Sequence, residues 1–211
     1  MPYGETRPTP RISPATSWSC WSISAHSGLA KRSRPSRELD RAVPVWILGS
    51  SLFGAQLAAR LGLPYAFASH FAPGDLLQAL DVYRNEFRPS EHLDRPYVMV
   101  GINVAAAESD AEARRLFTSP QQSFTNLLRG TRGKLLAPID DMDAYWSVAE
   151  KERVSNMLSC SFVGSENTVR SGLEQFVEST RADELMVASA IFDHPARLRS
   201  YEILTTISGL A

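Results

Sequence analysis

Val43-Pro44-Val45-Trp46-Ile47-Leu48-Gly49-Ser50-Ser51 carries a short apolar run straight into small residues. Such a run is too short for a helix and ends on turn signals, which predicts a buried parallel strand. The Ala-rich stretch from Leu52 to Leu61 follows at once, and Gly62 stops it, so a strand is joined to a helix by a tight turn. The same unit then repeats. Tyr65-Ala66-Phe67-Ala68-Ser69 reads as a second strand, and Asp75 to Phe87 as a helix packing through Leu76, Leu80, Tyr83 and Phe87. Tyr97-Val98-Met99-Val100-Gly101-Ile102-Asn103-Val104 is a third strand, apolar on both faces as parallel sheets require.

Farther along, Ser109 with Glu112 opens a helix over Asp110–Phe117 that Pro120 interrupts, and a loop with Gly130, Gly133 and Pro138 follows. Ser147 with Glu150 opens a helix reaching about Ser159, and Ser165 or Asn167 caps another that packs through Val169, Leu173, Phe176 and Val177. Glu184-Leu185-Met186-Val187-Ala188 is the fourth strand. Asp193 caps a terminal helix with Pro195 in its first turn and Leu198, Tyr201, Ile203 and Leu204 on its buried side. Four βα units with right-handed crossovers give parallel strands with helices outside, half of an eight-stranded barrel. An open four-stranded sheet is the alternative this order leaves standing.

Upstream of Val43 the chemistry changes. Residues 1–42 hold eight Ser, five Pro and seven Lys/Arg against three acidic residues, for a net charge of +4, whereas residues 43–211 carry −5. The reading is an irregular leader, 1–42, before an α/β domain, 43–211. A mildly acidic body gives no reason for nucleic-acid binding, and the basic leader is Pro-broken and lacks aromatic periodicity. No apolar run approaches the roughly 18 residues of a membrane span, and Ser and Pro break up any signal-peptide core. Cys20 and Cys160 fall on either side of the seam without metal-ligand spacing, which fits a reduced, cytoplasmic protein.

Gly49-Ser50-Ser51 offers the free amides of a helix start, its positive dipole end and two small hydroxyls, a natural seat for a phosphate. Gly54, one turn in, lets the backbone lie close to a ligand or to a neighbouring strand. On the residues alone, an ordinary βα turn is the simpler account. His70 ends the second strand on the side where barrel sites form, and it is the candidate for a substrate pocket. His194 beside Asp193 reads as a capping pair rather than an acid/base pair, and His92 and His26 lie in polar loop sequence. Asp140, Asp141 and Asp143 lack the Gly and closing Glu of a calcium loop and read as a solvated face. Trp46 and Trp146 read as core residues.

The segments VPVWILGSSLFGAQLAARLGLPYAFASHFAP (43–73), DRPYVMVGINVAAAESDAEARRLF (94–117), VGSENTVRSGLEQF (163–176) and ADELMVASAIFDHPARLRSYEI (182–203) resemble, in order and spacing, the C-terminal half of the bacterial luciferase-like flavin-dependent monooxygenases. The resemblance implies the C-terminal half of a TIM (β/α)8 barrel, reduced FMN supplied by a reductase, and O2 acting on a small aldehyde-like molecule. It also implies that Gly49, Ser50, Ser51 and Gly54 hold the flavin phosphate. A related variant with the deazaflavin coenzyme F420 as hydride donor is equally compatible with that seat. A truncated, non-catalytic half barrel, acting as a fragment or an association module and open to homo-oligomerisation, is the contrasting expectation. Pro2 to Thr6 also resembles family sequence, whereas Arg7–Ala42 does not. Read from each third base, the codons of Ala15–Ser22 permit the family's amphipathic helix and those of Pro35–Asp40 its Gly-containing turn. The expectation is therefore that residues 7–42 are translated out of frame, an authentic disordered tail being the other reading.

Overall fold

The run that begins at Val43 becomes strand only at its end, β1 (Ile47–Gly49). The computed structural model of the 211-residue chain describes residues 43–131 and 133–207, all within a unit starting at Val43. The leader, its reading-frame expectation, Cys20 and His26 lie outside the described residues. After β1 come α1 (Leu52–Leu61), β2 (Tyr65–Phe67), α2 (Leu76–Glu86), β3 (Val98–Ala106), α3 (Asp110–Leu128), α4 (Val148–Met157), β4 (Ser161–Gly164), α5 (Glu166–Thr180), β5 (Glu184–Ala188) and α6 (His194–Thr206).

The four expected strands are present and parallel. β1 pairs with β2 (Gly49 opposite Phe67), β2 with β3 (Tyr65 opposite Val98) and β5 with β3 (Val100 opposite Leu185). A fifth strand, β4, was not foreseen and pairs with the last residues of β3, Asn103 opposite Ser161 through Ala106 opposite Gly164. Asn103 also pairs with Ala188. A residue has only one partner on each edge, so β4 and β5 flank β3 on opposite sides, with β4 continuing the edge that β2 begins. Only Phe162 and Val163 supply apolar strand character there, too little for a periodicity signal.

Alternation along β3 sorts the two faces. Val98, Val100, Ile102 and Val104 are buried against Ala55, Ala58 and Ala59 of α1, Leu80 and Tyr83 of α2, Val169 and Leu173 of α5, and Ile203 of α6. Each such aliphatic side chain contributes about 2 kcal/mol by leaving water. A second cluster joins Ala105 and Ala107 to Ala113, Leu116 and Phe117 of α3 and to Val154 and Leu158 near α4. Between these clusters the second face is open: Leu48 and Met186 are 71% and 55% exposed.

Two expectations about helices need correction. Pro120 does not end α3, which runs on to Leu128. The bond lost at the proline is offset by ties across it: Thr118 Oγ1 accepts from Ile139 N at 2.9 Å, and Gln122 Nε2 donates to the Ala137 carbonyl at 2.9 Å. On α6, Leu198 and Tyr201 are 49% and 38% exposed, and the buried side is Ser200 and Ile203. Ser200 turns inward because its hydroxyl accepts from the Ala106 amide at 2.9 Å, satisfying a backbone donor beyond the last β3–β5 pair.

Candidate functional site at the strand ends

Gly49 closes β1, Ser50 is half-buried and Ser51 is the exposed N-cap of α1. Ser51 adopts an extended conformation, yet its hydroxyl caps no amide of α1. In α3, α4 and α6 the N-cap side chains of Ser109, Ser147 and Asp193 do accept such a bond, whereas Asp75 of α2 and Ser165 of α5, like Ser51, do not. The first turn of α1 also lacks any acidic residue. Its dipole end and amides thus remain available to an anion, and the Ser51 hydroxyl is free to join them.

Gly49 and Gly54 meet, but they face each other. A Cβ on Gly54 would touch Gly49 Cα at 3.4 Å and the Tyr65 ring at 3.5 Å, and one on Gly49 would touch the same ring at 3.7 Å. The two glycines bring strand and helix together beneath Tyr65, so any ligand contact from them has to come from their amides. Tyr65 locks the junction: its hydroxyl donates to the Ser51 carbonyl at 3.2 Å, and burial pushes its pKa up to about 12. Sequence reasoning passed over Tyr65 because an aromatic in an apolar run reads as core.

β2 ends beside this turn, since the Ala68 amide donates to the Gly49 carbonyl at 2.9 Å. The chain then bends, with Phe71 and Ala72 amides both donating to Ala68 O, and His70 sits on that bend. A Cβ at Gly101 would overlap His70 Nδ1, so the imidazole lies directly on β3 at the one position without a side chain. Gly101 alternates with Val100 and Ile102, which places the ring on the open face of the sheet. Asn103 Nδ2 donates to the His70 carbonyl at 2.8 Å, and Ser69 Oγ donates to the Gly101 carbonyl at 2.5 Å. His70 Nδ1 is buried without a partner. Gly101 and Asn103 were missed as site residues, although a Gly and an amide inside an apolar strand are the signals of a close approach and of a polar patch.

The remaining candidates are structural. Asp193 Oδ1 accepts from Ala196 N at 2.9 Å while His194 Nδ1 lies 2.8 Å from Arg197, so the two form no acid/base pair. Asp140 pairs with Arg115 and Asp143 with Lys151, and Asp141 accepts from the amides of Asp143 and Ala144. The Lys151 bond is the main cause that holds the Asp143 carboxyl below its usual range. Trp46 packs edge-on against Tyr97, and Trp146 donates to Asp143. His92 is exposed, and Cys160 is free and buried, with burial pushing its thiol up. Among the described residues no group of His, Cys, Asp and Glu suits a metal ion, and no helix is long and apolar enough to cross a membrane.

A parallel βα sheet with helices outside and an open helix N-terminus at the strand ends is the arrangement of a βα-barrel protein. The family model of luciferase-like monooxygenases matches residues 14–184, and the chain belongs to that family. The match takes in residues 14–42 as well as most of residues 43–211. A luciferase-like monooxygenase of Escherichia coli strain K12 is 54% identical over 170 residues, covering 81% of this chain and 51% of that protein. The chain thus spans about half the length of the curated relatives it matches. Among solved structures, apo-MsnO8 superposes with a TM-score of 0.68 at 31% identity, covering 83% of this chain and 54% of the other. Two more distant structures share the fold. The oxygenating constituent of a 3,6-diketocamphane monooxygenase of Pseudomonas putida, in complex with FMN, has a TM-score of 0.51 at 20% identity over 77% of this chain and 47% of its own. An F420-dependent secondary alcohol dehydrogenase has 0.50 at 12% identity over 80% and 50%. The half-barrel reading, rather than an open sheet, agrees with these neighbours.

Proposed function

We propose that the N-terminus of α1 holds the phosphate of reduced FMN, supplied by a reductase, for a monooxygenase reaction with O2 on a small aldehyde-like substrate. The carrying observation is the uncapped, acid-free first turn of α1 with a free Ser51 hydroxyl. Family membership supports the reading, as does the FMN complex of a protein with the same fold. In it the amides at the start of α1 and the hydroxyls of Ser50 and Ser51 bind the phosphate, and Gly49, Gly54 and Tyr65 fix the turn. Tyr65 stays neutral at physiological pH, so it brings no anion next to that phosphate. The bound flavin would supply the redox chemistry with O2, while the open sheet face around Leu48 and Met186 would have to be covered to exclude water.

Titration of the full chain with FMN, followed by flavin fluorescence, tests this. Saturable binding on the order of micromolar is expected. Ser51→Asp should weaken it at least tenfold, because the carboxylate repels the phosphate. The same carboxylate suits the helix dipole, so stability should change by about 0.5 kcal/mol or less. Equal losses of stability and affinity would make Ser51 a turn residue only. F420 is the second reading, since it also presents a phosphate and a protein of the same fold depends on it. Competition between FMN and F420 for the chain separates the two.

A further inference from the structure

We propose that His70 is a positioning residue of the same site, donating from Nε2–H to an oxygen of the flavin beyond its phosphate, in the ribityl chain or the ring system. The inference rests on the phosphate reading above. β1 and β2 are paired neighbours, about 4.8 Å apart, and the Gly49 carbonyl and Ala68 amide tie their ends together. A molecule anchored by phosphate at Ser50 and Ser51 and extending across the strand ends therefore meets His70 next.

The ring is placed there by design of the backbone. Gly101 leaves the space for it on β3, Ser69 donates to the Gly101 carbonyl, and Asn103 donates to the His70 carbonyl. The tautomer of the neutral ring follows from its contacts. In the neutral ring one nitrogen carries the proton. Nδ1 is buried against Gly101 with no partner. An N–H there would be a stranded donor, whereas a lone pair against carbon is the smaller loss, so the proton belongs on Nε2. Nε2 makes no hydrogen bond among the described residues. The only donor of the ring is thus left without a protein partner among the described residues, while Gly101 seats the ring and Asn103 holds the His70 backbone.

The test uses FMN and riboflavin on the full chain, each followed by flavin fluorescence. His70→Ala should weaken both flavins by the same factor, about threefold to tenfold for one lost hydrogen bond. His70→Gln, whose amide reaches the same place with a donor, should restore affinity to within about twofold. Gly101→Ala, which pushes the ring off its seat, should reproduce the His70→Ala loss. Ser51→Asp, by contrast, should affect FMN and spare riboflavin. Urea midpoints for each variant guard against a folding defect, and 15N spectra of the imidazole should show Nδ1 unprotonated in the unaltered chain. Binding of both flavins indifferent to His70→Ala, or a protonated Nδ1, would overturn the proposal while leaving the phosphate reading intact. No saturable binding of either flavin to the unaltered chain would overturn both.

Discussion

Gly54→Ala separates two reasons for a glycine at the start of α1: room for the helix to approach β1, or room for a ligand. Gly54 is buried inside a ten-residue helix, where Ala is favoured over Gly by about 0.8–1 kcal/mol. The new methyl would sit 3.4 Å from Gly49 Cα, 3.5 Å from Tyr65 Cε2 and 3.6 Å from the Tyr65 hydroxyl oxygen. These are ordinary contact distances, so dispersion gains offset any small shift of the ring. The expected result is stabilisation by about 0.5–1 kcal/mol, a rise in Tm of about 1–4 °C for a domain of this size. Because the methyl points into protein, FMN affinity should stay within about twofold. Urea denaturation and FMN titration of the variant read both quantities. Destabilisation by about 1 kcal/mol or more would mean that the strand–helix junction has no spare room and that the packing argument fails. A more stable variant that no longer binds FMN would put the ligand against Gly54 itself.

Gly62→Ala should behave in the opposite way, because φ there is +61° and a Cβ would overlap the Arg88 carbonyl and the Ser90 side chain. A loss of about 2 kcal/mol or more in urea unfolding is expected; a near-neutral result would mean that the Arg88–Ser90 loop gives way. Tyr65→Phe should cost about 1 kcal/mol near neutral pH through the lost bond to Ser51. Tyr65 has a folded pKa raised from 10.0 to about 12, so its contribution is complete below pH 10 and is lost as pH rises through about 12. The phenylalanine variant should lack that part of the alkaline sensitivity. Glu150 shows the reverse sign: bonds from Arg129 and then from the Ser147 amide lower its pKa from 4.5 to about 2. Its contribution is complete above pH 4.5 and is lost as pH falls through about 2, and a carboxyl titration by NMR showing ionisation near the ordinary value would refute the pairing.

How much of this could be read from residues depends on where each signal lives. Gly62, Ser147 with Glu150, and Asp193 were legible because a cap is a local event, decided within four residues. β4 was not legible, because four residues become a strand only when the end of β3 presents unpaired groups to them. Pro120 misled for the same reason: Ala137 and Ile139, which tie the helix across it, lie well beyond one turn. The buried side of α6 was misjudged because apolar residues were placed inward, whereas Ser200 faces inward to serve the Ala106 amide. At the candidate site, Ser50, Ser51 and His70 stood out as polar residues after strands. Their partners Tyr65, Gly101 and Asn103 act across strands, and a one-dimensional reading sees neither the contact nor its direction.

The sheet's two faces differ in how much apolar burial they carry. Val98, Val100, Ile102 and Val104 bury one face at no more than 1% exposure, and the helices packed there supply most of the apolar burial. The other face carries Gly101, Asn103 and the His70 ring, with Leu48 and Met186 open. Apart from its end at Ala105, where α3 and α4 pack, little apolar burial is invested in that face, so groups on it can be arranged for a ligand at small cost to the fold. The buried, unpaired Nδ1 of His70 is consistent with this division. A polar atom left unsatisfied costs about 1–3 kcal/mol, a sum that the opposite face can absorb and that packing alone gives no reason to retain. Replacing His70 by a small apolar residue should therefore leave the fold intact or firmer; a loss of stability of about 1 kcal/mol or more in urea unfolding would mean that packing of the ring on Gly101, rather than the proposed ligand, accounts for the histidine at this bend.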